Sequence, residues 1–183
     1  MKNITKILLT IYLFVSVNIC FGQEVLSLSK WRFGTALSGG YSFVNKDLTN
    51  DLNNYASCIW EIDLYYNRIQ TSFYSQANWS QKNNLFDFGL RAGYNIVDGN
   101  VVQFTPLIGL GVMSFSHDLN LKNILTPSVG ANFDFKLWTN KKSMRNDIWM
   151  IRLRYNCSMP SVNDNVVGIH SISIGIAVKG TLF

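Results

Sequence analysis

Between Trp31 and Phe43 every second residue is large, apolar or at least uncharged: Trp31, Phe33, Thr35, Leu37, Gly39, Tyr41 and Phe43. The intervening Arg32, Gly34, Ala36, Ser38, Gly40 and Ser42 are small or polar. Side chains along a strand point alternately to opposite faces, so this spacing predicts a strand with one apolar and one polar face. A helix would scatter Trp31, Phe33 and Leu37 around its cylinder. The alternation returns seven times, over Ala56–Tyr66, Ile69–Ser80, Phe86–Ile96, Val101–Met113, Leu125–Leu137, Trp149–Cys157 and Ser171–Leu182. The stretch from Val101 is greasier on both faces than the others and contains Pro106, which cannot donate to a ladder, so a bulge or local distortion is expected there.

The breaks carry turn chemistry. Asn67-Arg68 reads as a tight turn and Asp98-Gly99 as a hairpin signal. Asn45–Asn54, Gln81–Asn84, Ser114–Ile124, Thr139–Asp147 and Pro160–Val167 are polar and read as loops. Eight strands follow one another with no amphipathic helix, linker or second domain between them. The predicted fold is all-β, an eight-stranded antiparallel up-and-down transmembrane β-barrel. An even strand number puts both chain ends on one side, together with Asn67-Arg68, Val97–Asn100 and Thr139–Asp147.

Alternation alone does not say which face points out. A lipocalin-like barrel is apolar inside, whereas a membrane barrel is the reverse. The strand charges Arg32, Glu61, Asp63, Asp87, Arg91, Asp134, Lys136, Arg152, Arg154 and Lys179 all fall on the polar face, and none on the apolar one. The polar face is rich in Gly, Ala and Ser, which suits a crowded lumen. Aromatics gather at the strand ends, Trp31, Tyr66, Tyr94 and Trp149 at one and Tyr41, Phe43 and Trp79 at the other, as in interfacial girdles. Strands of this length match the roughly 9–11 residues that cross the hydrocarbon at a tilt. The membrane barrel is the better reading.

The stretches FDFGLRAGYNI, FTPLIGLGV, VGANFDFKLW and SISIGIAVKGTLF make residues 31–183 resemble the small outer-membrane β-barrel family, of the OmpA transmembrane-domain and PorT-like type. The resemblance implies a barrel in the Gram-negative outer membrane, in contact with its lipids, and an envelope protein partner, since PorT-like barrels can serve secretion systems. It also implies that Phe183 stands where the family's C-terminal aromatic is read by the barrel-assembly machinery. Here the apolar face of the last strand ends on Leu182, so Phe183 is one residue out of phase unless a bulge near Gly180 restores it.

The first residues differ from the rest. Lys2 and Lys6 precede an apolar Ile7–Ile19, and Cys20-Phe21-Gly22 places small residues where a signal peptidase inspects them. Residues 1–22 read as a signal peptide. The apolar run is shorter than the ~20 residues of a membrane helix, and Ile19 before Cys20 disfavours a lipoprotein. Cleavage leaves 161 residues (23–183) with 14 basic and 11 acidic side chains, too weak an excess to suggest nucleic acid. Cys58 and Cys157 remain, both on the apolar face of strands two and seven. Strands one and eight stand between them, about 14 Å along the wall at ~4.8 Å per strand. A disulfide needs Cα atoms within about 7 Å, so two free thiols are expected.

Three kinds of chemistry compete. The ten polar-face charges could line an ion path or pair into a plug. An eight-stranded interior is just filled by side chains and unpaired charges there are costly, so the plug is favoured. His170 and Ser173 suggest a barrel enzyme of the lipid A deacylase kind, but residue 172 is Ile and no carboxylate follows in the strand. His117-Asp118 with His170 or Asp164 makes a weak metal pattern. The expectation is an integral, non-enzymatic envelope protein without catalytic residues, cofactor or metal. A lipid-modifying barrel enzyme and a narrow pore are the alternatives.

Overall fold

Period-two sequence produces strands, and strands whose two faces differ this sharply must wrap one face away from the other. The computed structural model describes residues 31–44, 54–80, 84–117, 120–140, 147–162, 165–166 and 168–181. Eight long strands make the wall: β1 Trp31–Val44, β2 Tyr55–Tyr66, β3 Ile69–Trp79, β4 Asn84–Tyr94, β5 Val102–His117, β6 Asn120–Asn140, β7 Asp147–Ser158 and β8 Ile169–Thr181. Each pairs antiparallel with the next. β8 returns to β1, from Val44↔Ile169 to Arg32↔Thr181, and closes an up-and-down barrel.

The barrel is polar inside. Along β2, Tyr55, Ser57, Ile59, Glu61, Asp63 and Tyr65 are buried, while Ala56, Trp60 and Leu64 are exposed. The outer face carries Leu37, Phe73, Phe88, Leu90, Ile108 and Ile174, all exposed. Trp31, Tyr66 and Tyr94 lie at one rim, as the registers Trp31↔Tyr66, Tyr66↔Ile69 and Ile69↔Tyr94 require, with Trp149 at the foot of β7. Tyr41 and Trp79 flank Ala56 toward the other rim. Among the described residues between these rims, no charged side chain stands on the outer face. Such an inside-out wall is what a lipid environment requires.

The two short connections behave differently. Asn67 takes the left-handed conformation (φ 53°) of the tight turn between β2 and β3. The hairpin expected at Asp98-Gly99 forms there, but as a wider loop. Val97–Asp98 pairs with Phe104 and Gln103, and the Gly99 N–H donates to the Val102 carbonyl at 3.0 Å. Gly99 does not adopt a positive φ.

Several expectations need correction. Ser114–Ile124 is not a loop over its length. β5 and β6 continue as a ladder from Ser114↔Asn123 to His117↔Asn120. The polar residues of this stretch were read as loop chemistry, but the backbone pairing runs on through them. Near Pro106 the distortion falls on one side only. Pairing with β6 is regular through Pro106↔Ala131. On the β4 side, Gly93 faces Leu107 and Val97 faces Phe104, so four steps along one chain match three along the other. The ladder breaks beside the residue that lacks an N–H. A bulge the sequence did not suggest lies between Lys136 and Trp138 of β6. It leaves Leu137 and Trp138 both outward, each 62% exposed, as an extra residue in a strand does. No such shift occurs near Gly180, where pairing with β1 is unbroken to Thr181. Phe183 and the proposed signal peptide lie outside the described residues.

Cys58 and Cys157 are free and half-buried on the outer face. Cys58 pairs with Gly39 of β1, which pairs with Ile174 of β8, and Cys157 pairs with His170 of β8. Two strands separate them, as expected.

Candidate functional site: the charged lumen

A guanidinium on β7 can reach a carboxylate on β2 only if the strands between leave room. Arg152 faces Gly175 of β8, which faces Ser38 of β1. Arg154 faces Ser173, which faces Gly40, which faces Ser57 of β2. A Cβ on Gly175 would collide with the Leu37 carbonyl and the Ser38 hydroxyl. This low floor lets both arginines lie across β8 and β1.

Arg152 is the hub. Its Nε and Nη2 donate to the two carboxylate oxygens of Asp134 at 2.7 and 2.9 Å. Its Nη1 donates to Asp63 at 2.7 Å and Glu61 at 2.9 Å, and Nη2 also reaches the Tyr65 hydroxyl at 3.0 Å. A guanidinium has five N–H hydrogens, and here each has an acceptor. Asp63 accepts further bonds from Ser72 (2.6 Å) and Tyr65 (3.0 Å). Arg154 pairs with Glu61 through Nη2 and donates from Nε to Asn132 at 2.9 Å. Arg91 lies 3.6 Å from Glu61, outside hydrogen-bond reach, with its guanidinium carbon 3.5 Å from the centre of the Tyr74 ring. Asp87 accepts from Tyr74 (3.0 Å) and Ser158 (3.2 Å). All these acids and arginines are buried.

The remaining three of the ten charges sit lower. Arg32 is half-buried and paired in register with Tyr65 and Thr181. Lys179 places its Nζ 4.0 Å from the centre of the Tyr65 ring. Lys136 donates to the Gly99 carbonyl at 2.7 Å and pairs with Asp98 at 3.3 Å. An apolar cluster of Ala36, Ile148, Met150 and Ala177 is also buried inside the wall. Asp98, in the loop after β4, was missed from the sequence because it was counted as turn chemistry. Burial alone would push its carboxyl up, but Lys179 and Lys136, with bonds from Gln103 and Lys136, hold it below the ordinary value. Tyr65, Tyr74, Ser72 and Asn132 were also missed as network members. Their parity on the polar face was the available signal.

At the other end Tyr55, Leu85 and Ile169 are inward-facing and buried near their strand tips, and Met113 is buried in the same part of the wall. The sequence-suggested dyad does not form. Ser173 is buried in the lumen, whereas His170 stands on the outer face beside Tyr155, so the wall lies between them. The metal pattern rests on Asp118 and Asp164, which lie outside the described residues. No group of three or more metal-ligating side chains occurs among the described residues.

No protein-family model matches the chain, and no curated protein sequence does. Solved structures do match. Neisserial surface protein A superposes with a TM-score of 0.54 at 10% identity, over 84% of this chain and 98% of that one. Ail, the attachment invasion locus protein of Yersinia pestis, solved with the heparin analogue sucrose octasulfate, gives 0.53 at 14% identity over 82% and 99%. The N-terminal β-barrel domain of Pseudomonas aeruginosa OprF gives 0.50 at 9% identity over 80% and 96%. At such identities the likeness is one of fold: this chain is an eight-stranded antiparallel barrel of the same architecture.

Proposed function

We propose that the chain is an integral outer-membrane barrel whose lumen is filled by its own ion-paired side chains, and that its role is structural or one of interaction within the envelope rather than catalysis or conduction. The observation that carries this reading is Arg152, whose five N–H hydrogens are all accepted by Asp63, Glu61, Asp134 and Tyr65 across the lumen. A path for ions would need those partners to part, and breaking such a buried set is costly. The outward apolar wall supports the membrane location, because a backbone can cross hydrocarbon as strands only when the sheet closes.

On this reading the barrel's surroundings are outer-membrane lipids. The barrel-assembly machinery, through the last strand, and an envelope protein are the partners this reading calls for. The separation of His170 from Ser173 disfavours the lipid A deacylase alternative. Reconstitution in planar bilayers tests the plug: wild-type protein should give no unitary current steps, and stable conductance would overturn it. Cell fractionation tests the location: the protein should follow the outer membrane and migrate differently on gels before and after heating. Recovery as a soluble periplasmic monomer would overturn the membrane reading. Envelope lipid A of unchanged mass with and without the protein is the expected result for a non-enzyme.

A further inference from the structure

On the outer face near the loop rim one polar pair interrupts the apolar wall. The Tyr155 hydroxyl and His170 Nδ1 are 2.7 Å apart and exposed. Phe43 stacks on the imidazole, with ring centres 5.3 Å apart and planes 14° from parallel. The pair is positioned by register. Phe43, His170 and Cys157 face one another across β1, β8 and β7, and Tyr41, Ile172 and Tyr155 form the next row toward the midplane. The second imidazole nitrogen, Nε2, lies 3.2 Å from where a Cβ would stand on Gly168, the residue that precedes β8 at the rim.

A neutral imidazole and a phenol hold two donor hydrogens between them, and their mutual bond uses one. Whichever tautomer is present, one N–H or O–H is left over. If the phenol donates, the spare donor is Nε2–H; if the imidazole donates, it is the phenol O–H. Among the described residues none accepts it. A spare donor facing hydrocarbon is costly, because nothing there can accept it. Aromatic residues at this height stand at the level of lipid headgroups, where the strongest acceptors are phosphate oxygens.

We propose that Tyr155 and His170, braced by Phe43, form a docking point for the phosphate of a lipid headgroup in the leaflet at the loop rim. This rests on the reading of the barrel as membrane-spanning and adds to it a fixed lipid contact at one place on the wall. The protein has two histidines, so His117→Asn leaves His170 as the single imidazole reporter. In phosphatidylglycerol bilayers, solid-state magnetic resonance should detect a contact between lipid phosphorus and the His170 ring. In bilayers of a phosphate-free galactolipid the contact should be absent, and adding inorganic phosphate should not restore it. In mixed bilayers of the two lipids, the wild type should retain more phospholipid in its lipid shell than His170→Phe or Tyr155→Phe. An inserted barrel without the phosphorus contact overturns the site alone. So does equal retention by both variants, and so does restoration by inorganic phosphate, which would make it an ion site. A barrel that never enters the bilayer fraction overturns the membrane reading and the site with it.

Discussion

Arg152 and Arg91 stand on the inner wall of one barrel, both buried, and are accommodated in opposite ways. Arg152 spans a floor of small residues and finds four partners for five hydrogens. Arg91 lies over Tyr74, has its nearest carboxylate oxygen at 3.6 Å, and none of its three nitrogens makes a hydrogen bond. The difference follows from their neighbours across the lumen. β7 looks over Gly175 and Ser173 to the acids of β2. Arg91 stands on β4, directly opposite Gly109 of β5, and the space beside it is filled by the Tyr74 ring. Burying a guanidinium is therefore solved once by hydrogen bonds and once by an aromatic face, and the two solutions should differ in strength.

The largest effect is expected at the hub. Arg152→Met leaves Glu61, Asp63 and Asp134 facing one another with their main cation gone, and should cost about 3–5 kcal/mol, read from urea unfolding of the barrel in bilayers. Combining it with Asp63→Asn should recover part of that loss. Strict additivity of the two changes would break the claim that they act as one unit.

Next comes a change that moves the same chemistry through the wall. Leu90, adjacent to Arg91 in sequence, is 65% exposed on the outer face while Arg91 is 2% exposed inside. Leu90→Arg should cost about 2–4 kcal/mol near the midplane of a bilayer, or block assembly. Normal stability would mean that the two faces are reversed.

Arg91→Met should be milder, about 2 kcal/mol, the scale of a cation–π contact removed from water. Glu61 keeps Arg152 and Arg154. A loss equal to that of Arg152→Met would erase the contrast between the two sites.

The smallest effect concerns the lower mouth. Asp98 is held below its ordinary value by Lys179 and Lys136 against the opposing pull of burial. A carboxyl lowered in the folded state stabilises above its unfolded value, and that contribution is lost as pH falls through the ordinary carboxylate range toward the lower folded value. Asp98→Asn should therefore flatten the acid limb of the stability curve. A curve that superposes on wild type throughout would break the claim that Lys179 and Lys136 hold the Asp98 carboxyl down.

Much of this was legible in the chain, and the limits are physical. The parity of Glu61, Asp63, Asp134, Arg152 and Arg154 put them on one face because alternation is a local property of the backbone. Which acid meets which base was not legible. Arg152 and Glu61 are 91 positions apart in the chain, and only closure of β8 on β1 brings them together. The same closure decided that Gly175 and Gly40 form a floor rather than a weakness in two strands. His170 and Ser173 were linked by spacing, yet three residues along a strand is an odd step, and it placed them on opposite sides of the wall.

The sequence by itself determined the number of strands, their alternation, the inside-out polarity and the separation of the two cysteines, because each depends on period two and on strand order. Tertiary structure alone decided the bulge at Lys136/Trp138, the broken ladder beside Pro106, the continuation of β5 and β6 past Met113 and Leu125, and the partners of every buried charge. The first three depend on register between neighbouring strands, which alternation within one strand does not fix, and the last depends on strands distant in sequence that only closure of the sheet brings together.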